Sequence, residues 1–172
     1  GLSANDWLDA AWKAKRERNP RTREFEYTAH VSPTQTFTKE ECLFLALETD
    51  PSCATAWCLL GDHLHNSAFS TAEASPTTTT TTKKKKQLPA SPIPTLKTFN
   101  VHGRHMTVCD IYAHVLELDG TDANAYDMLF KTMDRLRKNE VALGAGVASG
   151  VAKGLHVLSR DECVVLADRY DN

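Results

Sequence analysis

The sequence predicts a mainly α fold: a solenoid of three helix pairs with short β-hairpin insertions and one disordered loop. Three observations predict it. Residues 40–64 read as an apolar run, the breaker Asp50-Pro51 and a second apolar run. The same pattern recurs over residues 110–133. A hydroxyl residue followed three places later by a carboxylate, the signature of a capped helix start, appears ahead of an apolar run at Thr38/Glu41, Thr107/Asp110 and Ser159/Glu162. Internal repetition of this kind is the mark of stacked units that share a core.

Each element follows in order. Ser3 is placed to cap a first helix running to about Arg18, with Trp7, Ala10, Ala11 and Ala14 inward, and Asn19-Pro20 ends it. Between Lys13 and Arg23 six basic residues meet one acidic one. They read either as a solvated helix end, where cations complement the dipole, or as a patch for an anionic partner. Phe25, Tyr27, Ala29 and Val31 alternate with polar residues as a half-buried strand does. Ser32-Pro33-Thr34-Gln35 is turn material, and Thr36-Phe37 returns as a second strand. Thr38 then caps the next helix, with Phe37 and Cys42 as its hydrophobic staple.

Pro51 cannot donate within a helix, so the chain breaks there and restarts. Ala54, Trp57, Leu60, Gly61 and Leu64 recur at three- and four-residue steps, one helix face. A disordered insertion is expected at about residues 68–97, where a six-Thr run from Thr77 to Thr82, a four-Lys run from Lys83 to Lys86 and then Pro89, Pro92 and Pro94 stand without apolar periodicity. His102-Gly103 is a two-residue hairpin turn between Phe99-Asn100-Val101 and Arg104-His105-Met106. Lys153-Gly154 suggests a third hairpin, between Val151-Ala152 and Leu155-His156-Val157. Val141 and Leu143 read as an extension of the preceding helix. The domain is thus one array: repeat 1 at 1–50, repeat 2 at 51–119 and repeat 3 at 120–172.

The helix motifs Ala54, Trp57, Leu60, Gly61 and Ala46-Leu47-Glu48-Thr49-Asp50-Pro51 resemble the tetratricopeptide (TPR) repeat. Aligning Asp119 on Asp50 places Ala123, Ala125, Tyr126 and Leu129 on Ala54, Ala56, Trp57 and Leu60. Partial copies sit at 3–7 and 158–163. The unit departs from the family in length, roughly 50 residues or more against about 34, and in Ala11, Phe130 and Gly120 where the family has Gly, Gly and Pro. The resemblance implies a protein–protein interaction scaffold, a fragment of a longer array, that takes a peptide or partner subunit on a concave face. It places Asn5, Leu8 and Trp12, Thr55, Cys58 and Asp62, and Asn124, Asp127 and Lys131 on that face. Only Lys131 among them is basic, which disfavours the carboxylate clamp some TPR domains use for a peptide terminus.

Two other functions stand beside this one. The first is a helical-repeat RNA-binding module using the basic segments at Lys13 to Arg23 and Lys83 to Lys86. The second is a regulatory repeat domain of an enzyme lying outside this chain. With 20 Lys and Arg against 22 Asp and Glu the formal charge is −2, ordinary for a soluble protein, and the intracellular setting expected, cytoplasmic or nuclear, rests on the cysteines. Five cysteines, mostly on helix faces, read as reduced thiols. No apolar run is long enough for a membrane span. No catalytic constellation, cofactor motif or small-molecule site is expected. No metal site is expected either: His63 and His65 stand two apart, without the paired cysteines of zinc sites.

Overall fold

The computed structural model describes residues 1–18, 23–70, 94–142 and 157–171. The mainly α solenoid is corrected by it: the architecture is mixed α/β. Among the described residues there are six helices and four small antiparallel sheets.

Helix α1 (Ala4–Lys13) leads into the largest sheet, strands β1 (Lys15–Arg18), β2 (Phe25–Ser32) and β3 (Gln35–Thr38), in the order β1-β2-β3. The helix expected to reach Arg18 therefore stops at Lys13. Ala14 swings to ψ 129, out of the helical region, and the charged segment after it is a strand because β2 supplies its hydrogen bonds. Helix α2 (Lys39–Thr49) follows, then α3 (Ala54–His65).

Strands β4 (Phe69–Ser70) and β5 (Thr95–Leu96) pair antiparallel. Ala68 is buried and Phe69 packs on the core. The ends of the segment expected to be disordered are thus structured. Its Thr and Lys runs lie outside the described residues.

Strands β6 (Phe99–Val101) and β7 (Arg104–Met106) form the expected hairpin. His102 at φ 50 and Gly103 at φ 78 make the left-handed pair that such a turn requires. Helices α4 (Val108–Leu118) and α5 (Ala123–Leu136) come next. Arg137, at φ 54, ends α5, so Val141 does not extend it. Instead β8 (Glu140–Ala142) pairs with β9 (Val157–Ser159), ahead of α6 (Arg160–Tyr170). The turn of the third expected hairpin lies outside the described residues.

The helices pack as α1 on α2, α3 on α4 and α5 on α6, with α2 against α3 and α4 against α5. A single apolar cluster runs through them. Cys42, Ile111 and Cys163 hold the same place, four residues after their caps, and all are fully buried. Capping boxes close at Ser3, Thr38, Thr107 and Ser159, each satisfying backbone N–H groups the helix leaves open.

Close approach decides the α3–α4 contact. A Cβ on Gly61 would stand 2.8 Å from the Tyr112 ring. Only a residue without a side chain lets the two helices meet there.

Candidate functional site

The expected site residues divide into three groups. Cys58 and Asp62, one helical turn apart on α3, face the joint with α4 and α5. Asp62 accepts a hydrogen bond from the Tyr112 hydroxyl at 2.9 Å and from the Asn124 amide at 3.2 Å. The same amide donates to the Cys58 sulfur at 3.1 Å. Cys58 itself lies 4.0 Å from an Asp122 carboxylate oxygen. These contacts correct the expectation that Cys58 is open to a partner: it is buried. Burial pushes its thiol up to about 12, with the Asn124 hydrogen bond acting the other way. A thiol so held stays protonated and is a poor nucleophile. Burial, reinforced by Asp62, likewise raises the Tyr112 hydroxyl. This polar joint locks three helices together.

Asn124 and Asp127 also reach a second place, a cleft of about 470 Å³ between α5 and α6. Phe130 and Val164 give it an apolar wall, and Asp127, Asp168 and Asp171 give it carboxylates. Lys131 pairs with Asp127 at 2.5 Å and so stands at its edge. Residues 124, 127 and 131 share one face of α5 by their spacing, and residues 164 and 168 share one face of α6, whose C-cap is Asp171.

The third group lies on α1 and at the start of α3. Trp12 is 73% exposed, Asn5 and Thr55 are exposed, and Leu8 packs partly on the core. A cleft of about 580 Å³ separates α1 from the sheet. Two pairs meet within it, Lys13 with Asp9 at 2.6 Å and His30 with Glu17 at 3.1 Å.

Among the described residues no three His, Cys, Asp or Glu side chains are grouped to hold a metal ion. His63 lies 3.7 Å from Glu40 across the α2–α3 contact and holds that carboxyl below its ordinary value. His65 sits between Phe69 and Tyr112, its Nδ1 buried without a hydrogen-bond partner among the described residues. Among the described residues no helix is long and apolar enough to cross a membrane.

The sequence reading missed Tyr112 as a partner of Asp62 and missed the α6 wall of the cleft. The spacing of Val164, Asp168 and Asp171 could have disclosed the latter. Nothing local could have disclosed the former, which depends on two segments far apart in the chain. No family model, curated protein or solved structure matches the chain; the reading of function rests on its own residues.

Proposed function

We propose that the chain is a protein–protein interaction module, in keeping with its likeness to the TPR repeat, and that the α5–α6 cleft takes a peptide of a partner protein. The observation that carries this reading is the cleft's composition. An apolar wall containing Val164, 46% exposed, is rimmed by three carboxylates. Apolar surface bordered by polar groups is the usual form of an interaction site. A peptide with one large apolar side chain would bury it against Phe130 and Val164. Lysine or arginine beside that side chain would meet the acidic rim, exchanging with Lys131 at Asp127, which favours encounter and orientation. No bond is made or broken.

Panning a displayed peptide library on the protein tests this. Peptides pairing an apolar residue with basic neighbours should be enriched, and Asp127→Lys or Val164→Glu should weaken the best of them about tenfold or more in calorimetric titration. Enrichment of acidic peptides, or affinity indifferent to both changes, would sink the reading.

A further inference from the structure

The basic segment after α1 is a strand, and that changes what it presents. In the β1–β2 ladder Arg16 faces Tyr27 and Arg18 faces Phe25. Cross-strand partners point to the same side of a sheet, and their chain neighbours point to the other. One face therefore carries Arg16, Arg18, Phe25 and Tyr27. The carboxylates of the ladder, Glu17 and Glu26, fall on the opposite face, where Glu17 meets His30 at 3.1 Å. The side chains obey this division: the Arg16 guanidinium lies 4.9 Å from the centre of the Phe25 ring, and Lys39, entering from α2, lies 5.9 Å from that of Tyr27. Both rings stand in solvent, Phe25 at 63% and Tyr27 at 47% exposure.

We propose that this face binds single-stranded nucleic acid, with bases stacked on Phe25 and Tyr27 and phosphates held by Arg16, Arg18 and Lys39. Two aromatics two residues apart on a strand are about 7 Å from one another, which suits adjacent unstacked bases. Small antiparallel sheets with exposed rings are a recurrent way to read single strands, because every base has a face to stack. The alternation clears the ladder's own carboxylates from the stacking face, so the cations there are complementary to a polyanion. In the unliganded protein Arg16 lies over its ring. When a base takes that place, the guanidinium is free to reach the adjoining phosphate. Duplex is a poor occupant, since its bases are already stacked and hidden from the rings. The face lies on the first sheet, among residues separate from those of the α5–α6 cleft, so either assignment can fail alone.

The test is fluorescence anisotropy with a labelled oligouridine of about ten nucleotides and the intact chain. Binding is expected at low salt. It should weaken with a slope near −2 in log affinity against log salt, as roughly 0.7 per phosphate for three contacts predicts. Phe25→Ala with Tyr27→Ala should reduce affinity at least tenfold, whereas Phe25→Trp should preserve it. Circular dichroism should show these variants folded, since both rings are exposed. Absence of binding at low salt would overturn the proposal. So would binding untouched by loss of the two rings, or a preference for duplex or for polyglutamate over the oligouridine.

Discussion

The turn from α2 to α3 and the turn from α4 to α5 are the same object built from different residues. Asp50 and Asp119 adopt φ,ψ of −140°, 93° and −138°, 94°. Each carboxylate accepts from the backbone N–H and the hydroxyl two residues on, at 3.0 and 2.7 Å in Ser52 and at 3.0 and 2.6 Å in Thr121. Each turn then tethers the ring of the next helix. The Trp57 indole donates to the Pro51 carbonyl and the Tyr126 hydroxyl to that of Gly120, both at 2.9 Å. Trp7, the matching residue of α1, is only half-buried and packs edge-on against Phe37 of β3. The anchor is therefore a property of turn and helix together. The aromatic alone does not produce it.

The sharpest way to break this comparison is to remove the rings. Trp57→Ala should cost about 3–5 kcal/mol, the range for emptying a core of a large aromatic, and Trp7→Ala clearly less. Chemical denaturation of both variants measures the difference, and equal losses would mean that Trp7 is anchored too. The next largest effect belongs to the α3–α4 contact. Gly61→Val should lower stability by about 1–3 kcal/mol through overpacking, because Tyr112 is fully buried and tied to Asp62 and cannot give way. Thermal or denaturant melting checks this; a neutral result would show that the helices separate freely. Smallest are the turn carboxylates. Asp50→Ala and Asp119→Ala should each cost about 1 kcal/mol, the net worth of the lost hydrogen bonds, and by similar amounts. Unequal values would show that the two turns share a shape without sharing a role.

What sequence could disclose follows the same division. The helix starts were legible because Thr38, Thr107 and Ser159 satisfy backbone groups within three residues of themselves. The hairpin at His102-Gly103 was legible because positive φ restricts which residues stand there. Strand β1 was not. Lys15, Arg16, Glu17 and Arg18 carry no apolar alternation, and only pairing with β2 makes them extended, since strand preference depends chiefly on context. The short pair β4–β5 was hidden for the same reason, and Val157, expected in a strand beside Val151-Ala152, pairs with Ala142 of β8 instead. Of the candidate site, Asn124 and Asp127 could be placed from spacing along one helix. The inward commitment of Cys58 could not, because it needs Asp122 and Asn124, more than sixty positions later.

The pairing of Phe69 with Leu96 gives the middle unit a fixed doorway. Whatever chain leaves after β4 must come back beside its own point of departure, so its length is uncoupled from the spacing of α3 and α4. Lengthening such an excursion raises the closure penalty only logarithmically, about 0.6 kcal/mol for each doubling. Changing the number of residues between Ser70 and Thr95 should therefore leave the α3–α4 contact at Gly61 in place.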